Sequence, residues 1–530
     1  MGLAVTLENT RTLIVGDLPV DTAKHLIDML SFYVDGYEYT SAYELSQYRI
    51  KGGWDGKNHL FKYDYKKSRG YCPAGLTYYL FRILDEAGLL YTTTDRRFKA
   101  EIGEPELPLH GLIPRDYQHL GLTEFLRIKR IVWQAATGAG KSLMIAMAAA
   151  KINAPTQIYV TTIDLMEQMH EDLTAALQIP IGRIGGGLCE IEQINVCMVP
   201  TAAQALGFKY QRYDTSEPLP SKLTEVAEQK KQITTVIAEA RLVIFDECHH
   251  MRAITIQKIA KASKKAAFRI GASATPFRDA GDDLLIEAQL GPSIFNITAS
   301  YLIKNRFLVR PTIKWLQVPT VRFPKGTKYP EIYQQYIVES TIRNQMILDK
   351  AKEMHAAGRK ILITVARRDT HGKTLLGLLA PHMKVRFLHG RVDKEDRKQI
   401  LADMKSGTLD CLIGTSLADE GLNVPIISGV ILAGGGKSRT RIFQRIGRAL
   451  RLHASKTDAL IYSFIDNARY LRKHSYDLIS LLKTEPEFKV LVAREQIDNI
   501  RQHMIKQQEV MPRTAREVYR DGKEKTKTVL

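Results

Sequence analysis

The chain has 530 residues, of which 45% are hydrophobic and 25% charged, and its formal net charge is +19. That length holds about three or four domains able to bury their own cores, and the excess of cations points to an acidic partner, most simply nucleic acid rather than an anionic membrane. The sequence has no apolar run of about 18 residues that would span a bilayer. Its scattered Cys72, Cys189, Cys197, Cys248 and Cys411, with no Cys-x-x-Cys pair, exclude a disulfide scaffold or zinc module and fit a reducing compartment.

Residues 1–105 read as a separate small α+β domain. Its start lacks the basic and apolar regions of a secretory leader and reads as a first β-strand. Pro19 to Val34 places Ala23, Leu26, Ile27 and Leu30 on one helical face. Short β-prone runs around Tyr37 and from His59 to Tyr63 follow, then a helix from Gly75 to Ala87. Between them lies a glycine-rich stretch carrying Arg49, Lys51, Trp54 and Lys57, with Lys62, Lys66, Lys67 and Arg69 beyond it. Cations around an aromatic suit a surface that holds phosphates and stacks on a base. A solvated hairpin with Trp54 plugging a small core reads equally well. Asp35 with Asp55 and Lys57 also fits, loosely, the acidic-acidic-lysine pattern of metal-dependent nucleases.

The proline-rich stretch from Pro105 to Pro114 marks a domain edge, and residues 106–300 read as the next domain. Arg115 and Gln118 stand some twenty residues before the loop Ala136-Thr137-Gly138-Ala139-Gly140-Lys141-Ser142, into which apolar Ile131-Val132-Trp133 runs as a buried strand and from which a helix runs out. Strand, glycine-rich turn, Gly-Lys-Ser and helix are the parts of a phosphate-binding loop, with Ala135 in the usual first glycine position. Gly138 and Gly140 would let backbone N–H groups approach phosphates at a helix N-terminus. Lys141 would reach the β- and γ-phosphates, and Ser142 would ligate Mg²⁺. Gln118, able to pair with an adenine edge, would favour ATP. A second apolar strand, Leu242 to Phe245, ends in Asp246-Glu247-Cys248-His249. Asp246 suits a second Mg²⁺ contact, and Glu247 a base for the attacking water. A third strand ends in Ser273-Ala274-Thr275.

The order of these segments resembles superfamily 2 helicases, and the second half continues the series. Thr415, Gly421 and Asn423 fall in a stretch that looks like motif V. Gln444-Arg445-Ile446-Gly447-Arg448-Ala449-Leu450-Arg451 looks like motif VI. Asp-Glu-Cys-His stands where DEAD-box RNA helicases carry Asp-Glu-Ala-Asp. The pattern is most similar to bacteriophage UvsW-like branch-migration DNA helicases, more distantly to the RecG and XPB groups.

The resemblance implies an α/β fold of two tandem RecA-like, doubly wound parallel-sheet lobes preceded by a small α+β DNA-binding domain. Residues 106–300 would be lobe 1, 301–345 an interlobe connection, 346–482 lobe 2, and 483–530 a C-terminal helix and basic tail. It implies an ATP hydrolase whose catalytic residues are Lys141, Asp246, Glu247, Gln444, Arg448 and Arg451. Arg115, Gln118, the 137–142 loop, Gly421 and Asn423 would bind ATP. His249, Ser273 and Thr275 would couple hydrolysis to movement. Thr161, Thr162, Thr201 and Thr415, with Arg49, Lys51, Trp54 and Lys57, would hold DNA. The cofactors would be ATP and Mg²⁺, the partner branched or forked DNA, and the protein a cytoplasmic monomer remodelling forks, D-loops or four-way junctions. The alternatives are the motor subunit of a restriction-type nuclease and an RNA-remodelling helicase.

Overall fold

The computed structural model describes all residues except 1, 35–36, 38–39, 42, 45–52, 100–101, 209–219, 251–252, 275–282, 367, 416–423, 436–438 and 511–530. Contacts divide it into two units. The first holds residues up to 296 apart from the loop residues Ala136–Ala139, and the second holds that loop with Ile297–Pro512.

The first unit begins with strands β1 (Leu3–Leu7), β2 (Arg11–Val15), β3 (Ser31–Tyr33), β4 (Lys57–His59), β5 (Lys62–Asp64), β6 (Arg69–Pro73) and β7 (Tyr91–Asp95). Five of them form a sheet in the order β5-β6-β2-β1-β7, and β3 pairs with β4. Alternation along β1 and β2 puts Leu3, Val5, Leu7 and Ile14 on one face, as the period of two requires. That face is covered by helices Val20–Met29 and Thr77–Glu86 through Leu26, Met29, Leu80, Ile83 and Leu84.

The unit continues with β8 (Arg130–Ala135), β9 (Thr156–Val160), β10 (Gly182–Gly185), β11 (Leu188–Glu190), β12 (Ile194–Met198), β13 (Leu242–Phe245), β14 (Phe268–Ser273) and β15 (Phe295–Ile297). Their order is β11-β10-β12-β9-β13-β14-β8-β15, and the run from β10 to β8 is parallel. Strands β9, β13 and β14 are buried at every position, which is why they show no alternation; β13 is apolar throughout, whereas β9 and β14 also bury Thr156, Gln157 and Arg269.

The small N-terminal domain shares its core with this second sheet. Helix Asp283–Leu290 has two working faces. Leu284 and Ala288 belong to the N-terminal core, whereas Ile286 and Leu290 pack with Phe245 and Cys248. Tyr79 donates to Glu287 in a buried hydrogen bond of 2.7 Å. Gly75 sits so close that a Cβ there would meet the Glu287 carbonyl oxygen at 2.0 Å. Arg130 reaches Asn9 O at 2.6 Å, and Asn9 reaches Lys264 O at 2.7 Å.

The second unit holds β16 (Arg310–Val318), β17 (Lys360–Thr364), β18 (Val385–Leu388), β19 (Cys411–Gly414), β20 (Ile427–Leu432), β21 (Asp458–Asp466) and β22 (Lys489–Leu491), in the order β18-β19-β17-β20-β21-β16-β22. Every pairing is parallel. Both units therefore carry the parallel-sheet, RecA-like α/β lobes that the sequence implies. The stretch 301–345 is more than a connection: β16 inside it lies between β21 and β22, so the second sheet begins there. Its edge strand β22 likewise falls within 483–530, expected to hold a helix and tail. Arg343, fully buried, ties helix Thr341–Ala356 to this sheet through Asp466 at 2.9 Å and Ala433 O at 2.7 Å. Among the described residues no helix is long and apolar enough to cross a membrane.

The Gly75 contact predicts a stability effect with a built-in control. Gly75→Ala should destabilise the first unit by about 1–3 kcal/mol, because backbone rather than a yielding side chain opposes the new methyl. Gly377→Ala, in helix Lys373–Leu379 with nothing within 4 Å of its Cβ, should stabilise by about 0.5–1 kcal/mol. Urea melts of the two variants measure both, and equal shifts would contradict the docked arrangement.

Candidate active site

Three neighbouring strands of the first unit deliver the central residues. In the order β13-β14-β8, β8 runs into the glycine-rich loop, β13 into Asp246 and β14 into Ser273. Parallel register sets Phe245 beside Gly271 and Ser273 beside Gln134, so the three carboxyl-terminal strand ends converge. This is where ligands bind in open α/β sheets.

The loop conformation depends on its glycines. Gly138 has φ 90° and Gly140 φ 75°, in the left-handed region that glycine occupies freely. Gly140 is also the N-cap of helix Lys141–Ile152. Its carbonyl accepts from the Gln118 side-chain amide at 3.4 Å, and Gln118 Oε1 accepts from Arg115 N at 2.8 Å. Buried Gln118 thus ties helix Asp116–Ile128 to the loop, completing a capping box with Arg115.

Lys141 Nζ lies 2.8 Å from Glu247 Oε1, with both side chains about one-seventh exposed (14% and 15%). Burial works against the Lys141 ammonium, but the Glu247 and Asp246 charges outweigh it and hold its pKa above the ordinary lysine value. Glu247 adopts φ 44°, a strained conformation for a residue with a side chain. His249 Nδ1 stands 3.4 Å from Glu247 Oε2 and 2.6 Å from Ser273 Oγ. Lys141, Glu247, His249 and Ser273 thus lie in a row of neighbouring polar side chains.

Asp246 is buried at the end of β13, and its backbone N–H donates to Tyr159 O at 3.0 Å. Burial, and then the Glu247 charge, push its carboxyl well above the usual carboxylate range against the pull of Lys141. Its Oδ1 is buried without a hydrogen-bond partner among the described residues. A carboxylate oxygen left so, beside a loop presenting Ser142, fits a hard divalent cation. Mg²⁺ takes one or two protein ligands and completes its shell with phosphate and water. Among the described residues no group of three histidine, cysteine or acidic side chains is placed to hold a metal ion.

Residues 111–278 match the family model described as "Type III restriction enzyme, res subunit", and residues 343–453 match the "Helicase conserved C-terminal domain". The chain is a superfamily 2 helicase. Over 509 residues, 87% of its length, it is 24% identical to the ATP-dependent DNA helicase uvsW of Enterobacteria phage T4, covering 94% of that protein. It is 24% identical over 375 residues to the DNA 3'-5' translocase XPB2 of Sulfurisphaera tokodaii, covering 64% of this chain and 78% of the relative. It is also 27% identical over 376 residues, 66% of its length, to a protein named as a helicase in Sulfolobus islandicus filamentous virus, of which the match spans 63%. The sequence belongs with ATP-hydrolysing helicases related to the UvsW and XPB proteins.

The helicase's other expected site residues fall as follows. Thr161 and Thr162 follow β9, beside β13. Thr162 caps helix Ile163–Leu177 by accepting from Leu165 N at 3.4 Å, and Thr161 Oγ1 is buried without a partner among the described residues. Thr201 lies half-buried in helix Val199–Ala205. Trp54 is half-buried, its indole N–H donated to Lys57 O at 2.7 Å. Lys57 Nζ stands 3.8 Å from Asp28 and lies over the Tyr33 ring. Asp55 accepts from Lys57 N at 3.1 Å and pairs with His59 at 2.9 Å. In the second unit Thr415 is buried after β19, and helix Arg439–Ala449 carries Gln444 and buried Arg448, with Arg451 just beyond. Arg49, Lys51, Thr275, Gly421 and Asn423, with Asp35, lie outside the described residues.

Lys456 was not singled out by the sequence. Its ammonium donates to Ala449 O at 3.0 Å and Ile427 O at 2.8 Å, closing the end of the helix that carries Arg448. Burial, and then Arg451, lower its pKa to about 8. The available signal was a lysine shortly after a helix end, where cations meet unpaired carbonyls.

The Asp246 environment predicts a pH-dependent stability. Between the ordinary carboxylate pKa and the raised folded value, the folded state holds a proton that the unfolded chain has lost. Stability therefore falls as pH rises through that window. Asparagine stays neutral throughout. With nucleotide absent and divalent cations chelated, Asp246→Asn should melt about 2–4 °C above the parent near pH 8. The gap should close on acidification. Thermal melts across pH read this out, and a variant no more stable than the parent at pH 8 contradicts it.

Proposed function

We propose that this helicase is an ATP-driven motor that moves on DNA and remodels branched structures such as forks, D-loops and four-way junctions. The observation that carries this reading is the core shared by the N-terminal domain and the first motor sheet. A DNA-holding domain fixed to the nucleotide-binding lobe lets a strand be displaced against it. The relative matched across both regions is named an ATP-dependent DNA helicase. The net charge of +19 suits contact with phosphates, which gives structure selectivity, weak sequence selectivity and strong salt dependence.

In this mechanism Arg115 and Gln118 receive the adenine. Thr137, Gly138, Ala139 and Gly140 present N–H groups to the phosphates, and Lys141 exchanges its bond to Glu247 for phosphate oxygens. That exchange frees Glu247 to orient water and take its proton as the water attacks the γ-phosphorus and ADP leaves. Ser142 and Asp246 would hold Mg²⁺, which neutralises phosphate charge when bound. Gln444, Arg448 and Arg451 supply donors and positive charge for the transferring group, and Gly421 and Asn423 line the nucleotide. Arginine suits this task because its fork is always charged. His249, Ser273 and Thr275 relay the state of Glu247. Thr161, Thr162, Thr201 and Thr415 hold one strand's phosphates, while Arg49, Lys51, Trp54 and Lys57 hold the branch.

Dissociation of a synthetic four-way junction, followed in a native gel, tests the proposal. The parent should separate the arms with ATP and Mg²⁺ and not without ATP. Lys141→Ala should slow ATP turnover about 10²–10³-fold and abolish separation. Junction separation that proceeds equally without ATP, or in Lys141→Ala, would reduce the protein to a junction binder.

A further inference from the structure

We propose that the outward face of the N-terminal sheet is a platform for the unpaired bases of a single DNA strand, with Tyr71 as its stacking ring. This rests on the DNA reading above and adds a site to it.

The five-stranded sheet has two unlike faces. One carries Leu3, Val5, Leu7, Ile14 and Cys72 into the core. The register defines the other. One row crosses the sheet as Lys62, Tyr71, Leu13, Thr6 and Thr94, and the next as Asp64, Arg69, Val15, Ala4 and Thr92. Tyr71 is 43% exposed and Val15 52% exposed, and Lys62, Arg69, Ala4, Thr92 and Thr94 are exposed with them. A one-sided sheet normally shows water a polar face. Here an exposed aromatic side chain, Tyr71, stands beside Leu13 on that face.

Charge complementarity selects the occupant. The β5–β6 hairpin carries Lys62, Lys66, Lys67 and Arg69 against one carboxylate, Asp64. Asp64 accepts from the backbone N–H groups of Lys66 and Lys67 and lies 3.8 Å from the Lys67 ammonium. Among the described residues Lys62, Lys66 and Arg69 have no ion-pair partner, and the Tyr71 ring makes no hydrogen bond or ring contact. Across the face Arg11 is held by Glu8 at 2.8 Å. Cations bordering an open aromatic on a sheet are what single-stranded nucleic acid uses. The phosphates meet the cations, and a base of any identity stacks on the ring. Trp54 is a poorer candidate, because its ring is half-buried beside Lys57, whose carbonyl accepts the indole N–H.

Tyr71 is exposed, so its replacement leaves the core intact. The test is fluorescence anisotropy of a labelled single-stranded DNA oligonucleotide binding to the full chain at fixed salt. Base–aromatic stacking makes the expected loss for Tyr71→Ala about tenfold in affinity, and Tyr71→Phe should bind like the parent. An abasic oligonucleotide with the same phosphates should bind the parent about as weakly as the normal one binds Tyr71→Ala, and Tyr71→Ala should lose nothing further on it. Lys62→Glu with Arg69→Glu should weaken both oligonucleotides and flatten the salt dependence. Unchanged binding of Tyr71→Ala, or equal parent affinity for normal and abasic strands, overturns the platform. If ATP turnover still responds to DNA in that case, the motor proposal survives. If the parent shows no DNA response at all, the motor proposal fails with it.

Discussion

The ion pair between Lys141 and Glu247 is the interaction on which the rest of the first unit's chemistry depends. A buried charge left without its partner is costly, typically about 3–5 kcal/mol, so each side chain holds the other while nucleotide is absent. The pair also accounts for the strained backbone at Glu247, with φ 44°. The turn that carries Asp246 and Glu247 out of β13 delivers one carboxylate to the lysine and keeps the other buried, its Oδ1 without a hydrogen-bond partner among the described residues. Phosphate oxygens are the natural replacement for Glu247 at the ammonium. In the proposed mechanism, nucleotide binding would release Glu247 to act as base, and the neighbouring His249 and Ser273 would sense that release.

The second constraint is mechanical. Helix Asp283–Leu290 packs on Phe245 and Cys248 with one face and on the N-terminal core with the other. Packed side chains of this helix thus connect the strand end that bears Asp246 and Glu247 to the N-terminal core, and close-packed interiors are able to transmit strain. The small domain is part of the motor's first body. The sheet face on that body carrying Tyr71, Lys62 and Arg69 would move with the proposed nucleotide site.

Much of this was legible in the sequence because it is written locally. The Gly-Lys-Ser loop before a helix and the polar residues that end two largely apolar strands stand out locally. Lys141, Asp246 and Ser273 were visible in this way, and the sheet architecture of both lobes followed from the resemblance these segments carry. Contacts between distant segments left no such mark. Lys141 and Glu247 are 106 residues apart, and nothing in either motif says that they touch. Gly75 looks like an ordinary helix start until the Glu287 backbone is placed against it. Strand β16 alternates buried and half-exposed positions, with Arg310 and Lys314 among them, so it resembled a connection rather than the interior of a sheet. Lys456 reads as one cation among many until the carbonyl it closes is known.

The most direct test of the central claim, a DNA motor selective for branched structures, is ATP turnover at one salt concentration with different nucleic acids supplied separately. These are single-stranded DNA, duplex, fork, four-way junction and structured RNA, with Lys141→Ala as the blank. The account predicts the greatest stimulation by forks or junctions and little by RNA. Greatest stimulation by structured RNA would contradict it, leaving an ATP-hydrolysing superfamily 2 helicase whose track is not DNA.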